Sequence, residues 1–250
     1  VTLAEKLLVP ALAKLCSYVA GGGIWMNTQR PEWNDANNAL VGYGVSVVTL
    51  CYLRRYVAFM KELLTGVESE ISVSTEVVEW LRAVSSALEG TRVRDDRDLK
   101  PATLASDDRG RKQAMDALGQ AFSDYRKHVY ENGLSGQGEL STEEVSRLCE
   151  TALREIESSI EANRREDGLY HSYLLLAFDD HGVSLRPLGE MLEGQVAALS
   201  SELPDPEDAV LLLEQMFKGP LYRPEHQSFM LYPEKRLPGF MEKNVVLRES

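Results

Sequence analysis

The sequence predicts a mainly all-α fold of stacked helical hairpins, as in a partial or closed α/α toroid, with one small β-hairpin near 169–185. Three observations carry that prediction. The segment from about Asn38 to Leu64 is apolar on nearly every side in its first half, through Val45, Val47, Val48, Leu50, Cys51 and Leu53. Such a helix must be covered all round. Other segments carry apolar residues on one face only, which suits an outer layer shielding an inner one. No internal period supports a regular solenoid.

In chain order, Thr2 to Val19 reads as the first helix. Gly21-Gly22-Gly23 stops it, and Pro10 inside it predicts a kink or a break. The buried helix over 38–64 follows. From Ser74 to Leu88, Val77, Val78, Trp80, Leu81, Val84 and Leu88 share one face, while Glu76, Glu79, Arg82 and Ser86 take the other. Thr91 to Lys112 mixes seven basic with five acidic residues, the pattern of an exposed connection and not of a phosphate patch. A second stripe comprises Met115, Leu118, Phe122, Tyr125 and Val129.

Asn132 to Gly138 reads as a loop whose glycines follow no strand. Ser141-Thr142-Glu143-Glu144 is a capping box that opens a helix striped by Leu148, Ala152, Ile156 and Ile160. Tyr170–Phe178 and Val183–Leu185 flank the turn Asp179-Asp180-His181-Gly182, the pattern of a hairpin. Short helices are expected over Pro187–Ser200 and Pro206–Phe217, followed by an irregular tail with prolines at 220, 224, 233 and 238.

At 250 residues, 44% hydrophobic and 26% charged, the chain is long enough to bury a substantial core. We read it as one helical domain over 1–250. Because it opens at Val1 already in a helical pattern, we read it as a piece of a longer protein. The formal charge of −12 argues against nucleic acid and anionic membrane as partners. The uncharged stretch from Ala39 to Leu53 holds Gly42, Gly44, Ser46 and Thr49, and is too short and too polar to span a bilayer. Cys16, Cys51 and Cys149 are odd in number and far apart. They read as reduced, buried thiols of a cytoplasmic protein, with no metal-binding spacing.

The segment Pro31-Glu32-Trp33-Asn34-Asp35-Ala36-Asn37-Asn38 carries most of the functional signal. Carboxylates and amides bind hydroxyls and an aromatic ring stacks on a sugar face, so this composition suits a polyhydroxylated ligand. The plainer account is that Asn and Asp cap a helix while Trp33 packs in the core. Glu32-Trp33-Asn34-Asp35 resembles the Asp-Trp-Asn-Asp segment of the six-hairpin (α/α)6-toroid glycosidases and glycoside phosphorylases, the clan that includes cellobiose phosphorylase-like enzymes. In that clan the segment supplies the general acid that protonates the glycosidic oxygen. The resemblance implies a carbohydrate-active enzyme with Glu32 or Asp35 as the acid, and Trp33, Asn34, Asn37 and Asn38 orienting the acid or holding sugar. Two features depart from the clan: Glu32 stands where Asp is usual, and six or seven helices fall short of the twelve that six hairpins need.

A hydrolase also needs a second carboxylate, whereas an inverting phosphorylase uses phosphate as nucleophile. Asp167, Tyr170, His171 and Tyr173 are rich in sugar-type groups and are candidates for the same cleft. Their plainer account is a turn and a half-buried strand. Arg186, Glu190 and Glu193 form a further set, read as a solvated helix face with Glu190 and Glu193 at i and i+3. Tyr222-Arg223-Pro224-Glu225-His226-Gln227 and Tyr232-Pro233 gather polar and aromatic groups in the tail, where binding residues often lie.

The expected partners are a carbohydrate and, for a phosphorylase, inorganic phosphate. No cofactor or metal is expected. The alternatives are a non-catalytic helical carbohydrate-binding or protein-interaction module, or a polysaccharide lyase using Tyr170 and His171 to move protons. No nucleophile elbow supports a Ser-His-Asp hydrolase.

Overall fold

A computed structural model describes residues 2–27, 35–66, 70–90, 107–234 and 237–244; for 35–37 and 90 the description covers the backbone only. In chain order the elements are α1 (Leu3–Leu15), β1 (Ile24–Trp25), α2 (Asp35–Leu40), β2 (Gly44–Ser46), α3 (Val47–Leu63), β3 (Ile71–Ser74), α4 (Thr75–Gly90), α5 (Asp108–Asn132), β4 (Gln137–Leu140), α6 (Thr142–Ala162), β5 (Tyr173–Asp179), β6 (Gly182–Pro187), α7 (Leu192–Ser200), α8 (Pro206–Lys218), β7 (Tyr222–Arg223), β8 (Ser228–Phe229) and α9 (Phe240–Lys243). The described chain is mostly helical, with a small antiparallel sheet.

The helix expected over 38–64 is three elements instead of one. Gly42 takes φ +89, a left-handed conformation that ends α2. A β-carbon on Gly44 would lie 2.4 Å from that of Leu40, so only glycine fits where the chain doubles back. The chain then runs as strand β2, and Ser46 restarts a helix by accepting from the Thr49 N–H at 3.0 Å. A strand with Gly44, Val45 and Ser46 all buried looks, in sequence, like more of the apolar helix start beyond it.

Strand β2 pairs with β1 on one side and β5 on the other, and β5 pairs with β6, all antiparallel. The expected hairpin is therefore half of a four-stranded sheet in the order β1-β2-β5-β6. Gly44, Leu175 and Arg186 stand in one row across it. Helix α1 runs through Pro10 unbroken, with that residue on its exposed side. It ends at Leu15, short of Val19, because Tyr18 turns back to bridge Ile24 around the three glycines.

The one-sided stripes pack as read. Val77, Val78, Trp80, Leu81, Val84 and Leu88 of α4 are buried, as are Leu148, Ala152, Ile156 and Ile160 of α6. The Ser141 capping box forms. Glu76, expected on the open face, is buried; its carboxylate accepts from the Ser135 N–H at 2.8 Å and from the Ser135 hydroxyl. Part of the loop expected over 132–138 becomes β4, paired with β3.

Ser172 ties the sheet to two helices. Its carbonyl accepts from Val47 N–H at 3.0 Å, at the start of α3, and its hydroxyl accepts from Gly194 N–H at 2.8 Å, in the first turn of α7. Ser172→Ala should lower unfolding free energy by about 1–3 kcal/mol, because the buried Gly194 N–H loses its acceptor. Urea titration measures this, and an unchanged midpoint would show that the hydroxyl is dispensable.

Candidate functional site

Beyond β6 the chain crosses from Pro187 to the start of α7, and this crossing forms one wall of a cleft. It is pinned at both ends: Leu188 N–H donates to the Tyr173 carbonyl at 3.0 Å, and Leu192 N–H to the Leu231 carbonyl at 2.8 Å. The tail supplies the other wall. Phe217, Tyr222 and Phe229 meet with ring centroids 4.9–5.2 Å apart, fastening the β7–β8 ribbon to α8. The cleft has a volume of about 810 Å³. Met191, Met230, Tyr232 and Leu237 supply its apolar surface, and Glu190, Arg223, Glu225, His226 and Glu234 its polar groups. Arg223 donates to Glu234 and lies 3.8 Å from Glu225.

Glu190 belongs to a cluster of charged groups at this wall. Its side chain is 9% exposed, its Oε2 lies 3.7 Å from Arg165, and its Oε1 has no hydrogen-bond partner. Burial raises the Glu190 pKa; the Arg165 charge opposes the shift and the nearby Asp167 adds to it. Arg165 is committed to Asp167 through Nε and Nη2, the latter at 2.6 Å. For Asp167, burial acts upward but is outweighed by that hydrogen bond and by the Leu169 N–H, so its pKa is lowered. The His171 pKa is lowered by burial first and then by the Arg165 charge. Its Nδ1 is another buried atom without a partner.

The sequence-derived candidates separate into distinct places. Glu32, Trp33 and Asn34 lie outside the described residues. Asp35 opens α2 and Asn37 lies within it, their side chains outside the description; Asn38 is exposed on the same helix. Asp167 sits in a turn that it braces by accepting from the Leu169 N–H at 3.1 Å. Tyr170 is a correction: it lies in the core at 2% exposure, with Gln195 clamping its N–H and carbonyl and burial pushing its pKa up to about 12. It does not line the cleft.

His171, half-buried, stays near Arg165 and Asp167. Tyr173 is buried and donates to Glu193. The tail residues Arg223, Glu225, His226 and Tyr232 do come together in the cleft. Glu190 was misplaced because α7 begins at Leu192, after it, so Glu190 and Glu193 share no helix face. The charged run Arg164-Arg165-Glu166-Asp167 is the sequence feature that could have pointed to its partner.

Cys16, Cys51 and Cys149 are buried free thiols, with pKa values raised by burial to about 12, 12 and 11. Among the described residues no group of three or more side chains is arranged to hold a metal ion, and no helix is long and apolar enough to cross a membrane. No family model and no curated protein matches the chain.

The Glu190 shift has a definite sign in stability. While both folded and unfolded chains are protonated there, below the ordinary glutamate range, its contribution is fully present. It is lost as pH rises through the elevated folded midpoint, because the unfolded chain releases the proton first. Glu190→Gln should therefore gain stability relative to wild type between about pH 4 and about pH 7 in urea unfolding. An equal difference at both pH values would mean that Glu190 titrates normally.

Proposed function

We propose that the protein is carbohydrate-active and acts on glycosidic bonds, as a hydrolase or phosphorylase, with a carboxylic acid as general acid. The observation that carries this reading is the chemistry of the cleft. Methionine, leucine and tyrosine surface suits the C–H faces of a sugar, and carboxylate, guanidinium and imidazole groups suit its hydroxyls. The resemblance of Glu32-Trp33-Asn34-Asp35 to the six-hairpin clan supports the same reading. On it, Glu32 or Asp35 protonates the leaving oxygen, Trp33, Asn34, Asn37 and Asn38 contact sugar or orient the acid, and the helices are part of an α/α toroid. The substrate is a carbohydrate, with inorganic phosphate as co-substrate in the phosphorylase form.

One observation favours a binding module without catalysis. Glu225 and Glu234 are 58% and 75% exposed and pair with Arg223, so neither is held as a desolvated acid.

A glycan array read with wild-type protein tests binding. On an identified ligand, Tyr232→Ala should weaken affinity about 3–10-fold through the lost ring contact, and Arg223→Ala about 10–100-fold through lost charged hydrogen bonds. Of Glu32→Gln and Asp35→Asn, the one that removes the acid should cost about 10²–10⁴-fold in turnover with folding retained. Absence of glycan binding would overturn the proposal. Full activity in both carboxyl variants would remove the acid from 32–35.

A further inference from the structure

We propose that a cavity between α4 and α5 binds a small organic cation, an alkylammonium or guanidinium group, with Glu76 as its anchor. The cavity shares no residue with the cleft, so the inference stands apart from the glycoside reading.

The spacing of residues on the two facing helices creates the cavity. On α4, Glu76, Trp80 and Ala83 follow one another a turn apart; on α5, Ala121, Tyr125 and His128 do the same. Residues at such steps share a helix face. The Trp80 and Tyr125 rings stack with centroids 4.2 Å apart, whereas the short Ala83 and Ala121 side chains leave room. The space measures about 230 Å³. A water's share of the liquid is about 30 Å³, so a group of several heavy atoms fits.

Glu76 brings a buried charge to this space. The residue is 3% exposed, and its Oε1 accepts from the Ser135 N–H and hydroxyl. Its Oε2 is buried and has no hydrogen-bond partner among the described residues. His128 Nε2 stands 3.6 Å from Oε1, beyond hydrogen-bonding distance. The Ser135 hydroxyl holds the Glu76 pKa below the usual glutamate value against the opposing effect of burial, so the group is ionised at neutral pH. A buried carboxylate with one oxygen open lacks both a donor and a counter-charge.

The rest of the lining selects the sign of the ligand. Glu79 and Asp124 add two exposed carboxylates, and no lysine or arginine is among the described residues that line the cavity. A water would satisfy the open lone pairs of Glu76 but would not offset its charge; an organic cation does both. Trp80 and Tyr125 add aromatic surface, whose ring quadrupole attracts cations. A bare metal ion is a poorer match, because no three ligating side chains converge among the described residues.

Calorimetric titration of the full chain with agmatine, cadaverine and N-acetyl-arginine amide tests the proposal. At least one should bind one-to-one with a Kd of about 1 mM or below, and the Trp80 indole N–H resonance should move with the titration. N-acetyl-citrulline amide, which keeps the shape without the charge, should bind at least about 10-fold more weakly than its arginine counterpart. Glu76→Gln should lower affinity about 10–100-fold, and Glu79→Gln and Asp124→Asn about 2–5-fold each. Circular dichroism reports whether Glu76→Gln folds; if it does not, the loss of affinity in the two surface variants decides. Tighter binding of agmatine or cadaverine would support a free amine as the ligand, and tighter binding of the arginine amide a basic side chain of a partner protein. Equal affinity for the arginine and citrulline amides, a folded Glu76→Gln variant that binds like wild type, or no binding of any probe at about 10 mM would overturn the assignment. None of these results bears on the glycoside reading.

Discussion

The rest of the described structure depends on the meeting of three chain segments at Ser172. Its carbonyl accepts from Val47 and Val48, and its hydroxyl accepts from Gly194. A β-carbon on Gly194 would fall 2.4 Å from that hydroxyl, so serine and glycine are jointly required by the approach. Helix N-termini carry N–H groups with no partner inside the helix. At this point the residue just before β5 supplies acceptors to two of them at once. The sheet, helix α3 and the wall of the cleft are thereby held in one frame.

The polar groups at the cleft divide according to how much water they keep. Glu225 and Glu234 are exposed and pair with Arg223 across the tail, an arrangement that contributes little to stability. Glu190 is shielded, and the same low exposure that raises its pKa leaves one of its oxygens without a donor. A folded chain retains such a cost where the surrounding packing enforces it. Here the crossing between β6 and α7 does so, because backbone bonds from Leu188 and Leu192 fix both of its ends.

Much of the helical layer was legible because a one-sided stripe reports its own periodicity. The faces of α4 and α6 packed as their spacing required, and the Ser141 box marked the start of α6. The tail residues around Arg223 and Tyr232 were legible as a candidate site because polar and aromatic groups crowd a proline-rich loop. The 38–64 segment was not legible, since the three buried residues of β2 run straight into the apolar start of α3. The burial of Tyr170 and of the Glu190 side chain escaped the sequence for a related reason. A tyrosine beside charged residues looks available, and a glutamate near a helix looks solvated, but burial depends on residues distant in sequence.

By itself, therefore, the sequence determined the mainly helical class, the hairpin, and most helix starts and stops. These follow from local terms: side-chain period, capping groups and glycine freedom. Only the tertiary structure decided that the hairpin joins β1 and β2 in one sheet, that Glu76 is buried and the Glu190 side chain shielded, and that the tail faces the crossing at 188–191. Each of these depends on contacts between segments far apart in the chain. Desolvation, which sets the charge state of Glu190, exists only once those segments have met.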